Sequence, residues 1–195
     1  MKRISEVDRK TKETEIYAKL NLDGSGKSEI STGIPFFDHM LTLFSVHGFF
    51  DLKIDAKGDL DVDFHHTVED VGIVLGDAFD KALGDRKGIN RYGHAVTPMD
   101  ETLTEVTVDL SNRPFLVYNY PDHADQGGDF NIQLAGEFFR SLSNRAGMNL
   151  HINVKYGGNG HHIIESVFKA LGRTLDQAVS FDARIVGVRS SKGYI

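Results

Sequence analysis

The hydrophobic pattern along the chain switches between two periods, and it makes the same switch twice. Ile16, Ala18, Leu20 and Leu22 alternate with Tyr17, Lys19 and Asn21, the two-residue repeat of a half-buried strand. Asp23-Gly24-Ser25-Gly26 follows as a turn, and residues 27 to 34 are expected to return antiparallel to that strand. From Phe37 to His47 the apolar residues Leu41 and Phe44 share one face, which predicts a short helix closed by Gly48. Phe50, Leu52, Ile54 and Ala56 alternate again, and Lys57-Gly58 turns. Leu60, Val62 and Phe64 then alternate with Asp59, Asp61 and Asp63 as a further strand. A stripe of Val71, Val74, Leu75, Ala78, Phe79 and Ala82 makes residues 66–83 an amphipathic helix.

The second half repeats the order. Val106, Val108 and Leu110 alternate, and Phe115 to Tyr118 continues the sheet after Asn112-Arg113-Pro114. Leu134, Phe138 and Leu142 predict a helix over 131–145. Leu150, Ile152, Val154 and Tyr156 alternate with polar partners, and beyond the loop Gly157-Gly158-Asn159-Gly160 residues 161–177 are helical. Each half therefore reads strand, strand, helix, strand, helix, at an offset of 96 to 98 positions. Two copies make a duplication rather than a solenoid, which needs at least three units. The expected architecture is α+β: a first half-repeat over 1–92 and a second over 93–195, together one compact unit with helices on one face of each sheet. The other sheet face is left to solvent or to a neighbouring subunit.

Composition narrows the chemistry. A net charge of −6 over 195 residues argues against a general nucleic-acid surface. No cysteine is present, which removes thiolate ligands and thiol nucleophiles. Met1-Lys2-Arg3-Ile4-Ser5-Glu6 lacks the apolar run of a signal peptide, and no stretch approaches the about 20 apolar residues of a membrane span. A cytoplasmic protein is the simplest expectation. Residues 122–129 and 193–195 have the composition of mobile loops or lids.

The duplicated scaffold carries a duplicated motif. His65-His66-Thr67-Val68-Glu69 opens one predicted helix and His161-His162-Ile163-Ile164-Glu165 opens the other, 96 positions on. Residues four apart share a helix face, so His65 with Glu69, and His161 with Glu165, can each face one ion. His66 and His162 point elsewhere and can reach an ion held by the other half or by another subunit. The offset also sets His39 opposite Glu137. This gives two expected sets: His39 with His65, His66 and Glu69, and Glu137 with His161, His162 and Glu165. Imidazole and carboxylate suit manganese or zinc, and the ligand set alone does not choose. The His-Glu-x-x-His pattern of zinc peptidases is absent.

Several longer stretches then point one way. Thr11-Lys12-Glu13-Thr14, Phe36-Phe37-Asp38-His39-Met40-Leu41, the two histidine motifs, Arg91-Tyr92-Gly93, Ser111-Asn112-Arg113-Pro114 and Ser190-Ser191-Lys192-Gly193 resemble the imidazoleglycerol-phosphate dehydratase family of histidine biosynthesis over nearly the whole chain. The resemblance implies a ribosomal protein S5 domain 2-like fold. It also implies a homo-oligomer of 24 subunits with active sites between them, two Mn²⁺ per site, and loss of water from imidazole glycerol phosphate to give imidazole acetol phosphate. It makes His39, His65, His66, Glu69, His161, His162 and Glu165 the metal ligands. Glu137 is a further candidate, standing where the family commonly has histidine. For the substrate phosphate, Arg91, Arg113, Ser190 and Lys192 are candidates, with His47 and Lys169 beside them, because charge-assisted bonds are strongest there. Glu13 is the candidate acid–base group. Two rivals are a dinuclear phosphate-ester hydrolase and a metal-stabilised assembly protein without catalysis. Against the hydrolase, Asp61 and Asp63 are the only suggestive aspartate pair, and they read as the polar face of a strand.

Overall fold

The computed structural model of the protein describes residues 2–125 and 128–194; Gln126, Gly127 and Ile195, which fall in the two loops singled out above, lie outside the described residues, as does Met1. The elements run β1 Ile4–Lys10, β2 Thr14–Asn21, β3 Ser28–Ser31, α1 Pro35–Gly48, β4 Asp51–Gly58 and α2 His65–Leu83. They then repeat as β5 Tyr92–Met99, β6 Thr102–Asp109, β7 Phe115–Asn119, α3 Ile132–Arg145, β8 Asn149–Tyr156 and α4 Gly160–Val179. Two sheets result, ordered β1-β2-β4-β3 and β5-β6-β8-β7. In each, the edge strand β3 or β7 pairs in parallel and the other pairings are antiparallel. The α+β architecture and its repetition agree with the pattern read from the sequence, but each half holds one strand more.

The two extra strands escaped the hydrophobic period for a physical reason. The inward face of β1 carries Ser5 and the half-buried Arg9 around Val7. Both polar groups are satisfied there: Ser5 Oγ donates to the Ala78 carbonyl at 2.7 Å and Arg9 Nε to Asp70 at 3.0 Å. The inward face of β5 is Gly93, Ala95 and Thr97, while Tyr92 and Val96 face out. A Cβ on Gly93 would stand 1.9 Å from the Thr174 carbonyl of α4, so the strand needs its small residue there.

Three further expectations are corrected. β3 does not return on β2; it runs parallel to β4, Ser28 opposite Leu52. The Asp51 carboxylate accepts the amides of Ser25 and Lys27 at 2.8 and 3.2 Å and pins the turn to the start of β4 instead. Residues 59–64 are a turn and not a strand: Val62 N donates to the Asp59 carbonyl, and the Val62 side chain is 68% exposed. Asp63 therefore lies on no strand face. Its Oδ1 accepts the His65 amide at 2.7 Å, one of the free donors at the start of α2. Helix α1 ends on Phe49 in the left-handed region (φ 54°), and Gly48 is its last helical residue.

The helices of each half lie on their own sheet and meet those of the other half, α1 against α4 and α2 against α3. One contiguous apolar core spans both halves. At its centre Phe138 packs edge-on against Phe37 (5.3 Å between ring centroids) and stacks on Phe168 (5.3 Å), tying α1, α3 and α4 together. Among the described residues no helix is long and apolar enough to cross a membrane.

Candidate metal and phosphate centres

The start of α4 is held by Asn159, whose side chain accepts the amides of His161 and His162 at 2.9 and 3.3 Å. With the first turn fixed, the adjacent rings diverge, 6.0 Å apart and at 87° to one another. His161 Nε2 lies 3.0 Å from Oε2 of Glu165, the residue one turn on. His39, reaching across from α1, brings its Nε2 to 3.7 Å from the same oxygen. Lys169 takes the other oxygen at 2.6 Å. Burial works against a charge on Glu165, but the Lys169 ammonium and the His161 ring outweigh it and hold the carboxyl below its usual range. Phe36 contacts the His161 ring edge-on at 5.0 Å. His162 turns the other way, its Nδ1 2.6 Å from Glu101 and its Nε2 3.6 Å from Asp100.

The first doublet repeats this geometry with looser contacts. The rings of His65 and His66 stand 6.2 Å apart at 89°. His65 Nε2 is 3.6 Å from Glu69 Oε2, and both side chains are about half exposed. His66 directs Nδ1 to Asp59 at 3.0 Å and lies 4.0 Å from Glu13. His65 also lines a cleft of about 560 Å³ together with Asp63, Asp129, Asn131 and Glu137. Glu137 pairs with Arg140 along its own helix at 3.4 Å.

The two expected sets are therefore crossed. His39 belongs with His161 and Glu165, and Glu137 lies beside His65. The cause is the packing: α1 meets α4 and α2 meets α3, so each helix contributed by one half faces the doublet of the other. Among the described residues of one chain, no three such side chains are arranged to hold an ion by themselves.

The phosphate candidates fall into two places. Arg91, Arg113, Ser190 and Lys192 line one cleft of about 730 Å³. Arg91 sits in the left-handed region (φ 71°) and is held by Asp109 at 2.6 and 2.9 Å. Its remaining Nη1 donates to the Arg189 carbonyl at 2.8 Å, which ties the C-terminal segment over the cleft. Arg113 and Lys192 form no ion pair among the described residues. His47 and Lys169 are not in this cleft. They lie together along α1 and α4, where burial and the nearby cations Lys169 and Arg173 pull the His47 pKa below its ordinary value.

Three functional-looking residues were not singled out from the sequence: Asp59, Glu101 and Arg189. Asp59 alternates as a strand position would, Glu101 sits in the turn between β6 and β5, the strand that the hydrophobic period hides, and Arg189 lines the basic cleft one residue before Ser190. The hydrogen bond from His162, with the loop amide of Asn159, brings the Glu101 pKa down to about 2. The pKa values of His66 and His162 rise in turn, mainly through Asp59 and Glu101 respectively.

The comparisons with known proteins bear on the family and the fold. The family model described as imidazoleglycerol-phosphate dehydratase matches residues 32–175. The chain is 62% identical to the imidazoleglycerol-phosphate dehydratase of Desulfosudis oleivorans over 195 residues, covering all of both chains. It is 63% identical to that of Syntrophobacter fumaroxidans over 187 residues, 96% of this chain and 95% of the relative. Among solved structures, the Pyrococcus furiosus enzyme aligns with a TM-score of 0.85 at 38% identity, over 97% of this chain and all of that one. The Staphylococcus aureus enzyme aligns with a TM-score of 0.82 at 39% identity, over 92% of this chain and 99% of that one. A family match over most of the chain and relatives at this identity and coverage have one meaning: the chain belongs to the imidazoleglycerol-phosphate dehydratase family and is a hydro-lyase.

Proposed function

We propose that the protein catalyses the metal-dependent dehydration of D-erythro-imidazole glycerol phosphate to imidazole acetol phosphate in histidine biosynthesis, in the cytoplasm, with two Mn²⁺ per active site. The observation that carries the metal reading is the pair of doublets, each with one ring facing a glutamate one turn on and the other ring turned about 90° away. Nitrogen and carboxylate donors fit a hard or borderline divalent ion; manganese in particular follows from the family resemblance. His39, His161 and Glu165 would supply one set of ligands, and His65 with Glu69 another, with His66 and His162 reaching neighbouring ions and Glu137 a further ligand beside His65. Bound there, the ions would supply Lewis acidity to the imidazole ring, whose neighbouring C–H is otherwise not acidic enough to lose.

The chain's own residues bind, orient and move the proton. Arg113, Lys192 and Ser190 receive the phosphate, with Arg91 held in place by Asp109 and lending its charge. His47 and Lys169 lie apart from that cleft within one chain, so they meet a phosphate only if a site draws on two subunits. Glu13 is the acid–base group. Its amide is held by Thr11 Oγ1 at 3.1 Å and its carbonyl by the Asp59 amide at 3.1 Å, while its carboxylate stands 4.0 Å from His66, outside hydrogen-bond range. A carboxylate so placed exchanges a proton with a substrate carbon presented at the doublet.

The half-exposed His65, Glu69 and His161 on the surface of one chain suit completion by a neighbour, and a 24-subunit particle with sites between subunits is part of the proposal. Metal content by elemental mass spectrometry, taken with the particle mass, tests it: two Mn²⁺ per chain in a large assembly is expected, and removal of the metal should lower the mass. Glu13→Gln should cut kcat by about 10²-fold or more with metal content unchanged. A near wild-type kcat in that variant would take Glu13 out of the mechanism.

A further inference from the structure

The duplication is asymmetric at one point. The β1–β2 hairpin pairs Ile4 with Asn21 and the β5–β6 hairpin pairs Tyr92 with Asp109, so the two hairpins correspond at an offset of 88 positions. That register sets Glu13 opposite Glu101 and Thr14 opposite Thr102. Gly58 at the end of β4 and Gly157 just past the end of β8 agree with it. A Cβ on Gly58 would meet Thr14 and Thr67, and one on Gly157 would meet Thr102. The two glutamates thus occupy one corner of the repeated unit, each beside the second histidine of a doublet, but they do different things. Glu101 takes the Nδ1 of His162 at 2.6 Å and accepts the amides of Asn159 and Gly158 at 3.0 and 3.4 Å. Glu13 takes neither kind of bond. Its ring, His66, is taken by Asp59 at 3.0 and 3.3 Å, and Glu13 stops 4.0 Å away. The residue after the paired glycine is Asp59 in the first half and Gly158 in the second, so only the first half has a carboxylate at that position to take Nδ1 in place of the glutamate.

We infer that Asp59 and Glu101 are the positioning carboxylates of the two histidine doublets, fixing Nδ1 as the donor and Nε2 as the lone-pair nitrogen of His66 and His162, and that Asp59 is what leaves Glu13 free. A ligating imidazole needs an acceptor on its second nitrogen to hold both its tautomer and its orientation. Other charged groups facing these rings do not supply one: Asp100 approaches His162 on its Nε2 side at 3.6 Å, and Glu13 lies beyond hydrogen-bond range. The inference rests on the metal-binding reading given above.

The test is Mn²⁺ affinity, measured on metal-stripped full-length protein by the paramagnetic resonance signal of free Mn²⁺. Asp59→Ala and Glu101→Ala should each weaken binding by about 10–100-fold, with Asp59→Asn and Glu101→Gln intermediate because an acceptor oxygen is restored. Both positions are partly exposed, so folding is retained, and circular dichroism checks it. A double-variant cycle isolates the role of Glu13. Glu13→Gln should leave affinity unchanged in the wild-type background and lower it several-fold on top of Asp59→Ala, where Glu13 has become the acceptor for His66. Wild-type binding with equal affinity in both alanine variants overturns the inference alone. Wild-type protein that takes up no Mn²⁺ overturns the metal reading and this inference with it.

Discussion

Gly172→Ala measures how strictly the site depends on the helix crossing beneath it. Gly172 lies on α4 where α1 crosses, and a Cβ there would stand 2.5 Å from the Phe44 carbonyl oxygen, 3.0 Å from the Gly48 amide nitrogen and 3.3 Å from the His47 carbonyl carbon. All three are backbone atoms, so no rotamer change relieves the clash and the helices must part by roughly 1 Å to restore ordinary contact. Overpacking of this kind costs about 1–3 kcal/mol, and contact with backbone on three sides places it near the upper end. Alanine returns about 1 kcal/mol of helix propensity. The net loss is about 2 kcal/mol, or about 4–8 °C in Tm for a chain of this size. The same crossing sets the 3.7 Å approach of His39 to Glu165, so Mn²⁺ uptake should fall with stability. Thermal unfolding of metal-free protein reads the first effect and metal content reads the second. Gly136→Ala is the control, because its Cβ would meet only the Tyr118 ring, at 3.2 Å. A Gly172→Ala protein as stable as wild type, or more so, would refute the reasoning, because propensity would then have outweighed packing.

Two more outcomes follow from the geometry. His47 has a folded-state pKa below its ordinary 6.5, so the unfolded chain binds its proton more readily. Its contribution is complete above pH 6.5 and is lost as pH falls through the folded value; urea unfolding between pH 7 and 5 should lose less stability in His47→Gln than in wild type. Arg113→Ala should weaken phosphate-bearing ligands by about 10–100-fold, the scale of one charge-assisted hydrogen bond, while phosphate-free triazole analogues bind variant and wild type equally; parallel loss of both would place Arg113 outside the phosphate site.

The elements with a clean apolar period were legible in the sequence: β2, β4, β6, β8 and the four helices. What stayed hidden followed rules other than hydrophobicity. β1 and β5 bury serine, arginine, glycine and threonine, whose fitness for a core depends on partners such as the Ala78 carbonyl and Asp70 that only the tertiary structure supplies. Residues 59–64 alternate as a strand would, yet hydrogen bonding by Asp59 and Asp63 makes them a turn and a helix start. Neighbouring residues in the motifs were legible as pairs, since four-residue spacing fixes His65 beside Glu69 and His161 beside Glu165. Long-range grouping was not: nothing in a 98-residue offset says that His39 will cross to the other half.

That crossing makes each half of the duplicated chain depend on the other for its site. Each half carries a doublet, but the helix that faces it belongs to the other half: α1 presents His39 to Glu165, and α3 brings Glu137 to the cleft beside His65. Both crossings are glycine-lined. Gly48 and Gly172 meet at α1–α4, and Gly72 and Gly76 of α2 lie against the backbone of α3, where a Cβ would stand 2.8 and 3.0 Å from the Phe138 and Leu142 carbonyl oxygens. Close approach of the helices is therefore a condition of both the core and the site. The residues that pack the halves together also set how far each ligand reaches.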